Sequence, residues 1–114
     1  MSFDIASGTE AMWLQSRVLG TEAFIPGLGN AFPELCGKMW TEGMEGRYEE
    51  CRQTQFLVNE VRDIMYLAKS TQLAIYAMLD IRGVLRCYPR APFIPAGGEE
   101  LSHIRERLKE LRLL

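Results

Sequence analysis

The sequence is poor in the residues that most chemistry uses. Its 114 residues include one histidine, three lysines and three cysteines. Cys36, Cys51 and Cys87 are odd in number and widely spaced, with no CxxC pair and no histidine at metal spacing. That excludes a disulfide framework and a zinc site, and it predicts reduced, mostly buried thiols in a cytoplasmic protein. No uncharged stretch is longer than the one from Ala23 to Pro33. This falls well short of the roughly 18 apolar residues of a membrane helix, so no membrane partner is expected. A basic segment followed by an apolar core is missing from the start of the chain, so no signal peptide is expected. Basic charge is not gathered into a stripe, since Cys87, Tyr88 and Pro89 separate Arg86 from Arg90. Nucleic-acid binding is therefore not expected either.

The remaining composition is that of a globular protein. Hydrophobic residues make up 47% and charged residues 25%, with a net charge of -2. Such a chain buries enough apolar surface to offset its conformational entropy, which excludes wholesale disorder. The charge is mildly lopsided, with four basic and eight acidic residues in 1–57 against nine and seven in 58–114. The length fits one domain and excludes any complete fold of about 250 residues, such as a whole eight-fold β/α barrel.

The hydrophobic pattern divides the chain in two. Residues 3–7 alternate apolar and polar and predict a strand, which Gly8 breaks. Thr9 can cap the helix expected over 10–19, and Gly20 suits its C-terminal stop. Ala23-Phe24-Ile25 is too short for a helix and predicts a strand buried on both faces. Pro26-Gly27-Leu28-Gly29 ends it. Asn30 is the expected N-cap of a helix with Pro33 in its first turn and an end at about Glu45 before Gly46. Residues 3–45 thus read strand, helix, strand, helix, the unit of a parallel α/β sheet. Two parallel strands alone would leave both edges bare, so they read as neighbours in a larger sheet.

From residue 47 onward the pattern is helical. Cys51, Val58, Val61, Met65 and Ala68, widened by Leu57 and Ile64, form the stripe of one long amphipathic helix over 47–68. Ser70 caps a second helix over 71–82, apolar on most faces and stopped by Gly83. Residues 84–98 hold three prolines and two glycines and predict an extended connection. Leu101, Ile104, Leu108 and Leu111 mark the buried stripe of a last helix. The expected organisation is two β/α units over 1–46 and three helices over 47–114.

Few features could carry chemistry. The Ile25–Asn30 turn lies between a strand and a helix and reads first as a plain tight turn; the alternative is an anion site on its free backbone amides. It lacks the third glycine of a dinucleotide fingerprint. Ser7-Gly8-Thr9-Glu10 ends the first strand and reads first as a helix cap; the alternative is a hold for a polar ligand, since parallel α/β proteins bind ligands at such strand ends. His103 falls on a solvated helix face. Met12, Met39, Met44, Met65 and Met78 read as core filler, and Trp13 and Trp40 as packing anchors. Lys38, Lys69 and Lys109 all fall in helices or at a helix end. None is placed at a strand tip, where a desolvated amine could attack a carbonyl, and no Ser-His-Asp or Cys-His constellation is available.

Together these segments resemble a known family. Ser7-Gly8-Thr9-Glu10, the run from Leu19 to Leu35, Glu45-Gly46-Arg47-Tyr48-Glu49-Glu50-Cys51, Arg82-Gly83 and Pro89-Arg90-Ala91-Pro92-Phe93-Ile94-Pro95 follow, in order, the C-terminal motifs of the dihydrodipicolinate synthase / N-acetylneuraminate lyase family. The resemblance implies an eight-fold β/α (TIM) barrel with a three-helix C-terminal extension, commonly tetrameric. It also implies a Schiff base between a lysine on the sixth strand and pyruvate or another 2-oxo acid, with a tyrosine on the fifth strand moving protons. No cofactor and no metal are implied. On this match the chain corresponds to strand seven through the C-terminus, with the catalytic lysine, the tyrosine and the carboxylate-binding threonines upstream.

The residue roles that carry over are substrate-binding. Ile25 matches the strand-eight isoleucine whose carbonyl lines the pyruvate pocket. Gly8 and Glu10 match positions that hold the polar tail of a longer substrate, and Gly27 matches another tail contact. Pro26 departs from the usual serine or glycine, removing an amide donor and a hydroxyl, and Tyr76 stands where many members have lysine. The expectation is the C-terminal part of a Schiff-base lyase, unable to form the imine by itself. Its partner would be the missing N-terminal barrel half or further copies of the chain. The alternative is a non-catalytic helical oligomerisation module.

Overall fold

The computed structural model describes residues 3–114. The chain forms two compact units, Met1–Glu60 and Val61–Leu114. The element order is β1 (Ala6–Ser7), α1 (Trp13–Val18), β2 (Ala23–Phe24), α2 (Pro33–Met44), α3 (Tyr48–Ile64), α4 (Thr71–Ile81) and α5 (Gly98–Glu110). Three 3-10 turns, Glu10–Met12, Leu28–Asn30 and Met65–Leu67, precede α1, precede α2 and follow α3.

In the first unit, β1 and β2 pair in parallel with Ala6 opposite Ala23 and Ser7 opposite Phe24. The strand expected over 3–7 contracts to two paired residues, because a ladder extends only as far as its partner does. The expectation that 23–25 is buried on both faces is corrected. Ala23 is exposed and Ile25 is 71% exposed, since β2 has β1 as its one neighbour among the described residues. Thr9 accepts from the Ala11 amide at 3.2 Å, but the helix it caps starts as a 3-10 turn before Trp13. Gly20, Gly46 and Gly83, with φ of 104°, 73° and 69°, stand just past α1, α2 and α4 in the left-handed region that glycine enters without strain.

Trp13 organises this unit. Its indole is fully buried, stacks on Phe24 at 4.8 Å and donates from Nε1 to the Met39 carbonyl at 2.9 Å. The same carbonyl accepts from the Cys51 thiol at 3.5 Å. One side chain therefore joins α1, β2 and α2, and truncating an indole so buried costs about 3–5 kcal/mol. Met12 is corrected from core to surface, for it is half-exposed. Asn30 is corrected as well: it lies within the 3-10 turn and its side chain donates back to the Gly27 carbonyl at 3.0 Å. Phe32 occupies the N-cap of α2 without a side-chain bond.

Helix α2 is tied to α3 through a buried carboxylate. Glu42 Oε1 accepts from Lys38 Nζ and from Thr54 Oγ1, each at 2.8 Å. Burial by itself raises the Glu42 carboxyl; the hydrogen bonds of Lys38 and Thr54 and the Lys38 charge outweigh that and hold it below its ordinary range. The sequence stripe of α3 is buried at Cys51, Val58, Val61 and Ile64. The α-helix ends at Ile64 rather than near Ala68, and a 3-10 turn replaces its last residues.

In the second unit, Ser70 caps α4 by accepting from the Leu73 amide at 3.2 Å. Leu73, Ala74, Ala77 and Met78 of α4 and Ile104 and Leu108 of α5 are buried. Residues 84–97 contain no helix or strand. His103 is exposed on α5, and Lys109 near its end complements the helix dipole. Among the described residues no helix is long and apolar enough to cross a membrane.

Candidate functional site

Parallel pairing brings the C-terminal ends of β1 and β2 to the same place. The Ile25 amide donates to the Ser7 carbonyl at 2.9 Å, closing the ladder. The chain then leaves the sheet in two adjacent turns, one through Gly8 to Glu10 and one through Pro26 to Asn30. Strand ends of this kind are where parallel α/β proteins gather ligands. The sheet thus juxtaposes the turns that carry Gly8, Glu10, Ile25 and Gly27.

Three of these positions are open and one is not. Gly8, Ile25 and Gly27 are exposed. Glu10 is 2% exposed, and its Oε1 accepts from the Leu28 amide at 3.2 Å. The Glu10 carbonyl in turn accepts from Gln55 Nε2 at 2.8 Å. Ser7 Oγ donates to the Thr9 carbonyl at 3.2 Å, so the hydroxyl of this turn is also engaged.

The glycine turn after β2 has no spare amides to offer at its centre. Gly29 donates to Pro26, Asn30 to Gly27 and Ala31 to Leu28, at 3.2, 3.2 and 3.0 Å. The amide of Leu28 is taken by Glu10. The turn is the plain tight turn that the sequence favours, and the alternative of an external anion at the Leu28 amide is set aside, since a carboxyl of the same chain occupies it.

The other reactive groups lie away from these turns or are quenched. Burial, then the charges of Glu10 and Glu34, pushes the Cys36 thiol up to about 12, which leaves little thiolate to act as a nucleophile. Burial also raises Cys51. Lys38 is engaged by Glu42 and Thr54, Lys69 precedes α4, and Lys109 lies on α5. Among the described residues there is no group of three His, Cys, Asp or Glu side chains fit to hold a metal. Beside the strand ends, Phe24, Pro26, Cys36, Gly37 and Trp40 line an open groove of about 440 Å3 between β2 and α2. Trp40 is held there by its Nε1 bond to the Glu22 carbonyl at 3.1 Å.

Sequence reasoning missed Gln55. A signal was present, because Gln55 sits between Cys51 and Val58 on the buried stripe of α3, where a polar residue demands a partner. Its partners, Glu10 and Leu14, are more than 40 positions away.

Comparison with known proteins supplies the context for this arrangement. The model of the dihydrodipicolinate synthetase family matches residues 1–111. The 4-hydroxy-tetrahydrodipicolinate synthase of Archaeoglobus fulgidus is 24% identical over 98% of this chain and 38% of its own. That of Desulfotalea psychrophila is 26% identical with the same coverage. Among solved structures, the dihydrodipicolinate synthase of Bacteroides thetaiotaomicron superposes with a TM-score of 0.88 at 25% identity, covering 95% of this chain and 38% of that one. A variant of the Sulfolobus solfataricus 2-keto-3-deoxygluconate aldolase gives 0.85 at 22% identity, covering 94% and 36%. These neighbours are β/α-barrel proteins. The chain spans a little over a third of the length of the relatives it matches. With its order of elements, its paired strand ends and 111 matched residues, the chain belongs to the dihydrodipicolinate synthetase family.

Proposed function

We propose that the chain is the C-terminal part of a Schiff-base-forming lyase that acts on pyruvate or another 2-oxo acid. Residues 1–46 supply the last two β/α units of the barrel, and residues 47–114 supply its three-helix extension. In the parent reaction a lysine amine adds to the 2-oxo carbon and water leaves. The resulting imine then supports aldol addition, cleavage or dehydration at the neighbouring carbon. That lysine and the proton-shuttling tyrosine belong to the polypeptide upstream. Ile25, Gly8 and Gly27 line the substrate from this side; Glu10 matches the same family pattern but lies buried against the Leu28 amide. The three free thiols favour a cytoplasmic setting.

The observation that carries this reading is a parallel sheet of two strands, open at both edges, with no lysine at either strand end among the described residues. Such a sheet is half of a structure: its free backbone groups call for strands on both sides. Borohydride reduction of the isolated chain with pyruvate tests it. The expected result is no stable mass adduct, whereas an adduct overturns the assignment of the imine lysine to the upstream segment.

One observation favours a second reading, a helical association module. In the second unit Tyr66, Val84, Leu85, Tyr88, Phe93 and Ile94 are all exposed, an apolar surface of the kind that marks interfaces. Sedimentation separates the two. A compact oligomer with cooperative unfolding favours the module, and a dye-binding monomer favours the barrel part.

A further inference from the structure

We propose that Glu10 and Gln55 are positioning residues, which together set the backbone course of the turn after β2. Glu10 stands three residues past β1, yet its carboxyl reaches the amide of Leu28, 18 positions on. The Leu28 amide thus bonds outside the turn, whereas Gly29, Asn30 and Ala31 each also bond back within it. Leu28 itself is fully buried. A buried carboxyl group is tolerated where it is hydrogen-bonded, and leaving the buried Leu28 amide without this acceptor would cost the full desolvation of that amide. The turn is therefore held at its buried residue by Glu10, while Gly27 and Ile25 stay open beside it.

Gln55 fixes Glu10 from the opposite side. Its Nε2 donates to the Glu10 carbonyl at 2.8 Å and to Asn59 Oδ1 at 3.1 Å, and its Oε1 accepts from the Leu14 amide at 3.1 Å. Leu14 is in the first turn of α1, where amides lack partners within the helix. The side-chain amide thus uses both of its donors and one acceptor site, and its orientation is settled, because a backbone carbonyl and a backbone amide face opposite ends of it. Gln55 is 4% exposed. The chain of bonds runs from α3 through the end of β1 to the end of β2.

This deepens the proposed function and rests on it in one respect, the placing of the Ile25 carbonyl in a substrate pocket. Under it Glu10 does not contact the polar tail of a substrate. It acts through Leu28, and the tail meets Gly8 and Gly27, where a Cβ would find no atom within 4 Å.

Nuclear magnetic resonance on the full chain tests the arrangement. The expected signature is a through-hydrogen-bond coupling between the Leu28 amide nitrogen and the Glu10 side-chain carboxyl carbon. Glu10→Ala is expected to speed exchange of the Leu28 amide about tenfold or more, the effect of one net hydrogen bond. It is also expected to move the Ile25 carbonyl-carbon shift, while the Glu45 amide, which caps the end of α2, is unaffected. Glu10→Gln, which keeps an acceptor oxygen, restores both signals, a rescue that a general loss of stability does not produce. Gln55→Leu speeds exchange at Leu14 as well as Leu28. An absent coupling, or unchanged Leu28 exchange in Glu10→Ala, overturns the proposal. If Glu10→Ala does not fold, the coupling in the unmodified chain decides. A borohydride adduct on the isolated chain would overturn the parent assignment and leave this one standing, so the two fail separately.

Discussion

Helix α2 contains two interior glycines for which the same substitution should have opposite effects. A Cβ on Gly43 would lie 2.6 Å from Trp13 Nε1 and 3.1 Å from its Cε2, while a Cβ on Gly37 meets nothing within 4 Å. Alanine improves on glycine inside a helix by about 0.5–1 kcal/mol, so Gly37→Ala is expected to stabilise the chain by that amount. Gly43→Ala gains the same backbone term but must displace the indole. That ring cannot swing away cheaply: it is fully buried, stacked on Phe24 and bonded to the Met39 carbonyl. Overpacking costs about 1–3 kcal/mol, and stretching the indole bond adds about 1 kcal/mol. The steric term wins, for a net loss of about 1–3 kcal/mol. Denaturant titration followed by tryptophan fluorescence measures both variants. If Gly43→Ala is as stable as Gly37→Ala, the close approach of Trp13 to α2 is wrong.

Other consequences can be checked directly. Glu42 is held below its ordinary value of 4.5, so the stability it contributes is fully present above about pH 4.5 and is lost as pH falls through its lower folded value. Glu42→Gln should flatten that acid limb in denaturant midpoints measured from pH 3 to 6. Thr54→Val removes one of the two donors to Glu42 Oε1 and should cost about 1.5–3 kcal/mol, read as a shift of the unfolding midpoint at neutral pH. Thiol alkylation followed by mass spectrometry should modify Cys87 first, because Cys36 and Cys51 are buried and Cys36 is pushed up to about 12; prompt labelling of Cys36 in the folded chain would contradict its placement.

Local signals in the sequence were reliable and distant ones were not. Ser70, Gly20, Gly46 and Gly83 marked helix ends correctly, because a cap or a left-handed stop depends on a few adjacent residues. The stripe through Cys51, Val58 and Val61 was legible for the same reason: helical periodicity is local. Asn30 misled because its value as a cap depends on where the helix begins, and the intervening 3-10 turn moved that point to Phe32. The extent of β1 was not legible, since a strand lasts only while its neighbour pairs with it. At the candidate site, the positions of Gly8 and Ile25 at the strand ends followed from the alternation of strand and helix. The burial of Glu10 did not, because it depends on Leu28 and Gln55, which the fold brings from elsewhere in the chain.

The stack of Trp13 on Phe24 gives the chain an optical reporter of its own. The protein has two tryptophans, and the other, Trp40, is 39% exposed on the far wall of the groove beside β2. A segment that covers the groove beside β2 would dry the surroundings of Trp40 while Trp13, already fully buried, stays as a reference. Emission from Trp40 then moves to the blue, and Trp13→Phe and Trp40→Phe variants assign the two contributions. Binding of any segment that covers this groove can therefore be followed in real time and without a label.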